Sequence, residues 1–242
     1  MKIIGHRGAR GYEPENTLRS MKKAIDLGAD MVEFDVYALP SGEVVVMHDH
    51  RVDRTTDGQG RVMDHSFEAI RRLDAGKTEV IPTLQEVLNL LAQRVRANIE
   101  LKGPFSGKMV ADIIDTYLQK GWAAEDFLVS SFDHHELRRF KTSLPQIDIA
   151  VLEHTIPINY ASAPQELGAV SVNPNFEFIS QAYVDDAHQR GLKVYPYTVN
   201  EEDDLLDMQK MGVDGVITDY PDRARTILLQ PQRAKTGKII HA

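Results

Sequence analysis

Short apolar runs rich in β-branched residues alternate along the chain with longer segments whose apolar residues recur at helical spacing. Eight runs are predicted as strands: Lys2–His6, Met31–Tyr37, Ala97–Lys102, Phe127–Ser131, Ile147–Leu152, Ala169–Asn173, Lys193–Val199 and Gly215–Thr218. Seven amphipathic segments are predicted as helices: Thr17–Leu27, Thr83–Arg94, Gly107–Lys120, His134–Lys141, Gln181–Arg190, Glu201–Lys210 and Pro221–Leu229. Asn16-Thr17 and Asn200 stand where two of these helices begin and are predicted N-caps. Repeated βα units predict an α/β fold with a parallel sheet. Eight of them favour a closed (β/α)8 barrel, with an open doubly wound sheet as the alternative.

Two stretches interrupt this rhythm. Pro40-Ser41-Gly42 is a turn signal that leads into a further apolar run, Val44–His48, which predicts a hairpin attached to the second strand. Residues 49–82 then carry turn-rich sequence and one weak helical segment, Ser66–Leu73. We therefore expect a small inserted lobe over one mouth of the barrel.

Composition and charge exclude several classes of function. The 242 residues, 42% hydrophobic and 26% charged, suit one barrel domain over residues 1–230, and the tail at 231–242 has so little to bury that it is expected to be poorly ordered. A net charge of −8 without a long Lys/Arg run argues against nucleic acid or an anionic membrane as a partner. The absence of cysteine excludes disulfides, thiolate metal sites and cysteine nucleophiles. No signal-peptide pattern precedes the first strand, and no apolar run reaches the ~20 residues of a membrane span. We therefore expect a cytoplasmic protein without stable membrane insertion.

Acidic side chains occur within strands that should be buried. Residues i and i+2 of a strand share a face about 6.6 Å apart, so Glu33 and Asp35 point into the barrel while the apolar residues beside them pack under the helices. Two carboxylates about 4 Å apart repel by roughly 4 kcal/mol at an effective dielectric near 20, and a divalent cation such as Mg²⁺ or Ca²⁺ relieves that repulsion. Taken alone, this pair fits a solvated sheet edge equally well. Asn98, Glu100 and Lys102 repeat the pattern on a later strand, and polar residues are unusual in a buried parallel strand. This favours a site over a strand-end salt bridge, with Glu100 as the third acidic ligand and Lys102 as a phosphate or oxyanion contact.

Two histidines lie at strand ends. His6 ends the first strand and His48 ends the hairpin strand, where barrel enzymes carry their chemistry, and the pair could share general-base and general-acid work. A single histidine at such a position is more often structural. Arg7, in a Gly-His-Arg-Gly segment, has the planar guanidinium and the open backbone that suit phosphate recognition. For Tyr197, the sequence favours a packing role and a role in stacking on a ligand about equally.

Together these segments resemble the glycerophosphodiester phosphodiesterase family. The motifs that carry the resemblance follow the family's order from residue 5 to about Pro221: Gly5-His6-Arg7-Gly8, Pro14-Glu15-Asn16-Thr17, Glu33-x-Asp35, His48-Asp49, Glu100-x-Lys102 and Thr198-Val199-Asn200. This combination is far more specific than any single motif. One departure is visible, because Tyr197 stands where the family commonly has tryptophan, which bears on the pocket for the glycerol end.

The resemblance implies a TIM-barrel hydrolase that cleaves glycerophosphodiesters to sn-glycerol 3-phosphate and an alcohol with one divalent cation, Mg²⁺ or Ca²⁺. The implied metal ligands are Glu33, Asp35 and Glu100, the implied acid/base pair is His6 and His48, and the implied phosphate contacts are Arg7 and Lys102. The insertion after the hairpin corresponds to the family's small lobe, which is assigned to substrate access. Attack by the substrate's own glycerol 2-hydroxyl would form a cyclic phosphate first.

Two other functions stay open at this point. A related barrel lyase of the phospholipase-D type would share the site and release the cyclic product, whereas a non-catalytic barrel would keep the fold and use Arg7 for phosphate recognition. Binding alone needs neither histidine, which favours the enzyme. The head group, the oligomeric state, the choice between Mg²⁺ and Ca²⁺ and the division of acid and base between the histidines have no signature in the sequence.

Overall fold

The computed structural model describes residues 1–229, so residue 230 and the predicted tail at 231–242 lie outside the described residues. The strands are β1 (Lys2–Gly5), β2 (Met31–Ala38), β3 (Val44–Val46), β4 (Arg96–Leu101), β5 (Phe127–Ser131), β6 (Asp148–Glu153), β7 (Ser171–Pro174), β8 (Lys193–Val194) and β9 (Gly215–Thr218). The α-helices are α1 (Leu18–Asp26), α2 (Phe67–Ile70), α3 (Leu84–Leu91), α4 (Ser106–Gln119), α5 (His134–Ser143), α6 (Ser162–Glu166), α7 (Gln181–Gln189), α8 (Glu202–Met211) and α9 (Pro221–Leu229). Short 3-10 helices cover Val62–Asp64, Ala124–Asp126 and Phe176–Phe178. Within residues 1–229, none of the helices is both long and apolar enough to cross a membrane.

The sheet is a nearly closed parallel barrel. Its strands follow the order β8-β7-β6-β5-β4-β2-β1-β9, and β3 pairs antiparallel with β2 as the expected hairpin. The two ends of this order meet, because the backbone N–H of Asp214 donates to Val194 O (3.0 Å) and that of Ile217 donates to Pro196 O (2.9 Å). The predicted (β/α)8 barrel is confirmed, and the open doubly wound sheet is excluded because its edge strands would lie far apart.

The predicted strand Lys193–Val199 is regular only over β8, so its predicted length is wrong. Pro196 has no N–H to donate to a strand ladder and interrupts the regular pattern. The backbone nevertheless continues along the barrel wall, since Val199 N–H donates to Ile217 O (2.9 Å). Tyr197 is thereby carried to the mouth of the barrel.

The two faces of β2 separate as the alternation predicts. Val32, Phe34 and Val36 are fully buried in the main apolar cluster between the sheet and its helices. Burying side chains of this size contributes about 1.5–3 kcal/mol each. Glu33 and Asp35 are buried on the opposite face, inside the barrel. A slip of one residue would place these acids under the helices, so the apolar face fixes the register of the site.

The segment between β3 and α3 has only short elements, and α2 covers part of the predicted helix Ser66–Leu73. Val52, Val62 and Ile70 from this segment are fully buried. They belong to an apolar cluster separate from the main one, and Val45 of the hairpin belongs to the same cluster. The inserted segment is therefore anchored to the β2–β3 hairpin by its own small core.

Candidate active site

Three acidic side chains converge at the carboxyl end of the barrel strands. Parallel pairing of β2 with β4 places Asp35 beside Glu100 and Glu33 beside Asn98. Glu33, Asp35 and Glu100 each offer one carboxylate oxygen, and these oxygens lie within 4.8 Å of one another. The three residues are only 4%, 0% and 8% exposed. The structure therefore joins the acids of two sequence motifs into one buried group, the acid triad.

The electrostatics of the acid triad fit a bound cation. Glu33 Oε1 and Asp35 Oδ1 have no hydrogen-bond partner among residues 1–229. Burial first, and the charges of the other two acids next, hold the pKa of Glu33 well above its ordinary value. Burial and then Asp35 raise the pKa of Glu100 to about 8. Burial also favours neutral Asp35, but the surrounding positive charges, Arg7 foremost, outweigh it and lower the pKa of that carboxyl. Three buried carboxylates, two of which have an oxygen without a hydrogen-bond partner among residues 1–229, match the all-oxygen ligand set of Mg²⁺ or Ca²⁺.

Arg7 and Lys102 flank the acid triad in different ways. The backbone N–H of Arg7 donates to Glu33 Oε2 (2.9 Å), and its Nη1 donates to Glu15 Oε1 (2.8 Å). Arg7 also lines the cavity above the triad. Lys102 Nζ lies 2.8 Å from Glu100 Oε1. Both predicted phosphate contacts therefore reach the site, Arg7 as part of the cavity wall and Lys102 as a direct neighbour of an acid.

The turn after β1 requires its glycines. Gly8 has a φ of +84°, and a Cβ there would come within 2.4 Å of Ser20 Oγ. A Cβ on Gly5 would come within 2.6 Å of the carbonyl oxygen of Gly8. Because any side chain at these positions would push the turn apart, the glycines hold the backbone of Arg7 against the acid triad.

Each predicted histidine has a carboxylate at its Nδ1. His6 Nδ1 lies 2.7 Å from Asp219 Oδ1, and His48 Nδ1 lies 2.6 Å from Asp49 Oδ1. Both rings line the cavity. A carboxylate in this position favours the proton on Nδ1 and leaves Nε2 as the nitrogen that exchanges protons. Burial is the largest influence on the pKa of both rings, and together with the neighbouring cations it outweighs the carboxylates and holds each pKa below its ordinary value. The neutral form of each imidazole is therefore favoured near pH 7 and can accept a proton at Nε2, and the protonated form can donate one from the same atom.

Asp219 is a site residue that the sequence analysis missed. It directly follows β9, and its carboxylate is held by Asn200 Nδ2 (2.9 Å) and Arg10 Nε (2.9 Å) in addition to His6. The prediction of Asn200 as an N-cap is wrong, because Glu201 occupies the N-cap position of α8. A polar residue directly after a barrel strand is the signal that singled out His6, and the same signal could have found Asp219.

The two residues of the predicted cap Asn16-Thr17 have different roles in the structure. Thr17 is the N-cap of α1, because its side chain accepts a hydrogen bond from Ser20 N–H. Asn16 instead donates from Nδ2 to Asp35 Oδ2 (2.9 Å). Asn16 therefore holds one oxygen of the Asp35 carboxylate, while the other oxygen has no hydrogen-bond partner in the described part of the chain.

A cavity of about 450 Å³ lies over the acid triad. Phe132, Phe176 and Tyr197 contribute an aromatic side to it. The ring of Tyr197 meets that of Phe132 edge to face with centroids 6.0 Å apart, and its hydroxyl donates to Glu153 O (3.1 Å). Tyr197 is therefore both packed and exposed to the cavity. The volume suits a small-molecule ligand.

The chain is similar to known proteins in both sequence and fold. Residues 6–223 match the Glycerophosphoryl diester phosphodiesterase family. The chain is 37% identical to a glycerophosphodiester phosphodiesterase of Caldanaerobacter subterraneus subsp. tengcongensis, over 91% of this chain and 94% of the relative. It is 34% identical to a glycerophosphodiester phosphodiesterase of Bacillus altitudinis, over 92% of this chain and 96% of the relative. Its fold is similar to that of an Oleispira antarctica phosphodiesterase in complex with the product sn-glycerol-3-phosphate, with a TM-score of 0.87, 30% identity and coverage of 94% of this chain and 96% of that chain. It is also similar to a glycerophosphodiester phosphodiesterase of Thermotoga maritima, with a TM-score of 0.76, 25% identity and coverage of 94% and 98%.

Proposed function

The chain belongs to the glycerophosphoryl diester phosphodiesterase family, and from this premise we propose that it hydrolyses glycerophosphodiesters to sn-glycerol 3-phosphate and an alcohol, using one divalent cation. One observation carries the proposal: a buried acid triad with unpartnered oxygens adjoins one cavity together with two histidines that each have a carboxylate at Nδ1. The Oleispira antarctica relative was solved with sn-glycerol-3-phosphate, which is the product proposed for this chain.

The charged residues divide the work of holding a phosphodiester. Glu33, Asp35 and Glu100 would hold the cation, Mg²⁺ or Ca²⁺, which when bound stabilises negative charge on the phosphoryl oxygens. Arg7 offers a planar guanidinium to the same oxygens from the cavity wall. Lys102 adds a positive charge beside Glu100. These preorganised charges favour the transition state, in which charge on the phosphoryl group rises.

A glycerophosphodiester carries its own nucleophile, the 2-hydroxyl next to the ester. In the first step the 2-hydroxyl oxygen bonds to phosphorus, the bond to the alcohol breaks, and a five-membered cyclic phosphate forms. One histidine, in its neutral form, takes the hydroxyl proton at Nε2, and the other, which enters the step protonated, gives its Nε2 proton to the leaving oxygen. Water then opens the ring with the two histidine roles reversed. His6 and His48 suit this exchange because each keeps Nε2 free of the carboxylate that orients it.

An assay with glycerophosphocholine tests the proposed function against its alternatives. We expect glycerol 3-phosphate to appear in a coupled enzymatic assay with Mg²⁺ or Ca²⁺, to stop appearing in EDTA, and to reappear when excess cation is restored. Phosphorus NMR of the same mixture separates the rivals. A lyase would accumulate the cyclic phosphate without glycerol 3-phosphate, and a non-catalytic barrel would leave the diester intact. Either pattern would overturn the proposal.

Asp219→Asn should lower kcat by roughly 10²–10⁴-fold, because an amide at Nδ1 no longer favours the productive tautomer of His6 or stabilises its protonated form. The limb of the pH–rate profile set by His6 should also move to lower pH, because Asp219 raises the pKa that burial lowers. Asp222→Asn is the matched control, since among residues 1–229 the Asp222 carboxylate is hydrogen-bonded by the hydroxyl of Tyr12 (2.9 and 3.1 Å) near the surface. We expect its kcat to stay within about twofold of wild type. Equal kcat values for the two variants would remove Asp219 from the proposed mechanism.

A further inference from the structure

Arg54, in the inserted segment, makes four hydrogen bonds to two carboxylates of the site. Its Nε and Nη2 donate to the two carboxylate oxygens of Asp49 (2.6 and 3.0 Å). Its Nη1 and Nη2 donate to the two carboxylate oxygens of Glu15 (3.0 and 2.7 Å). One planar guanidinium therefore makes bidentate hydrogen bonds to both carboxylates. This geometry fixes the orientation of each carboxylate as well as its distance from Arg54.

The same carboxylates contact residues placed in the proposed mechanism, each through the oxygen that also accepts from Arg54 Nη2. Asp49 Oδ1 lies 2.6 Å from His48 Nδ1, and Glu15 Oε1 accepts from Arg7 Nη1 (2.8 Å). One carboxylate thus separates Arg54 from a predicted acid/base residue, and one separates it from the predicted phosphate contact. No other described residue hydrogen-bonds both Asp49 and Glu15.

Stability alone is a weak explanation for this arrangement. The side chain of Arg54 is 49% exposed, and ion pairs of exposed side chains contribute little to the free energy of unfolding. Glu15 is different, since its side chain is only 13% exposed and the cations around it keep it charged. A buried charged group needs its partners in fixed places, so the contacts of Arg54 matter most for where Glu15 and Asp49 point.

We propose that Arg54 is a positioning residue for catalysis, which orients the His48 ring through Asp49 and the Arg7 guanidinium through Glu15. The inference rests on the proposed function and deepens it. It makes the inserted segment a working part of the site in addition to a cover over the barrel mouth. If Arg54 served only to attach the inserted segment to the barrel, removing another ion pair of similar strength between the segment and the barrel would lower kcat equally.

Arg71 provides that comparison. It lies in the same segment, and its guanidinium donates to both carboxylate oxygens of Glu86 in α3 (2.7 and 2.7 Å) and to Ile81 O (2.6 Å). It therefore ties the segment to the barrel through a bidentate ion pair, as Arg54 does. Arg71 and Glu86 do not line the cavity over the acid triad.

The test compares Arg54→Met with Arg71→Met in steady-state kinetics on glycerophosphocholine at saturating divalent cation. For Arg54→Met we expect kcat to fall about 10–100-fold, as when an orienting partner of a catalytic group is lost. For Arg71→Met we expect kcat within about twofold of wild type, with a similar loss of Tm in both variants. Equal kcat values in the two variants, or a change in Tm and KM alone in Arg54→Met, would overturn the proposal.

Two further measurements test the two connections that start at Arg54, through Asp49 to His48 and through Glu15 to Arg7, which we call its two arms. Double-mutant cycles should show strong non-additivity in kcat between Arg54→Met and Asp49→Asn. Arg54→Met already removes the hydrogen bonds that orient Asp49, so changing Asp49 as well should cost little more. Arg54→Lys has a single ammonium group and should not restore both arms. Additive effects on kcat, or full recovery by lysine, would count against positioning through the guanidinium fork.

Binding of inorganic phosphate, measured by calorimetry, keeps this test independent of the proposed function. If the wild-type protein turned over no glycerophosphodiester, the proposed function would fail, yet the Arg7 arm could still be examined. We expect Arg54→Met to weaken phosphate binding several-fold while Arg71→Met leaves it unchanged. Unchanged phosphate affinity in Arg54→Met would refute the inference even in an active enzyme.

Discussion

Alanine in place of Glu33, Asp35 or Glu100 is expected to abolish cation-dependent turnover and leave the protein folded. Each change removes one acidic ligand from a set whose oxygens lie within 4.8 Å of one another. The charge that balances the phosphoryl oxygens would be lost with the cation, so kcat/KM should fall by at least about 10³-fold. Folding should survive, because two of the deleted oxygens have no hydrogen-bond partner among residues 1–229 and each deletion removes the repulsion between that acid and the other two.

Thermal denaturation with and without cation measures the loss of binding separately from activity. At 100 times its Kd, a cation that binds only the folded state stabilises it by about 2.7 kcal/mol, which corresponds to roughly 5–10 °C in Tm for a protein of this size. We expect the wild type to show this increase and the three variants to lose it. Glu177→Ala is the control, since Glu177 lines the same cavity outside the acid triad and should keep the increase. A triad variant with an undiminished Tm increase, or near-wild-type turnover, would remove that residue from the ligand set.

The convergence of the acid triad could be predicted because it depends on local geometry. Strand alternation places Glu33 and Asp35 on one face, and a neighbouring parallel strand brings Glu100 alongside. The partner of His6 depends on barrel closure instead. Asp219 lies 213 positions away along the chain, and the two meet only because β1 and β9 pair as neighbours. Local sequence patterns do not reveal which distant residues become neighbours. The contact between His6 and Asp219 therefore could not be predicted from either segment alone.

Residue type alone also failed to separate caps from site residues. Asparagine suits an N-cap because its short side chain hydrogen-bonds nearby backbone groups, and the same property lets it hold a carboxylate. Asn16 and Asn200 do the latter, for Asp35 and Asp219. Arg54 gave no signal at all, because it stands in a turn-rich stretch where neither helical nor strand periodicity says which way a side chain points.

A substrate analogue built on propane-1,3-diol should bind nearly as well as the parent diester and turn over far more slowly. It has hydrogen in place of the 2-hydroxyl, so it keeps the phosphate contacts and loses the internal nucleophile. The lost hydrogen bond should weaken binding by about 1 kcal/mol, or roughly fivefold. Turnover should fall by at least about 10³-fold, because well-oriented internal nucleophiles reach effective molarities near 10⁵–10⁸ M and external water lacks that advantage. Rates of alcohol release from the two diesters, at saturating concentration, give the comparison.

The propane-1,2-diol diester that keeps the neighbouring hydroxyl and lacks the terminal one provides the control for this analogue. It also loses one hydroxyl, so any general cost of a missing hydrogen bond in the cavity affects both compounds equally. It retains the nucleophile, and we expect its kcat within about tenfold of the parent diester, with the cyclic phosphate visible by phosphorus NMR at early times. Since both compounds present the same phosphate and the same leaving alcohol to His6 and His48, a large difference between the analogues isolates the position of the hydroxyl as the cause. Comparable kcat for the propane-1,3-diol analogue and the parent would exclude the cyclic route, and the two histidines would then serve a direct attack by water.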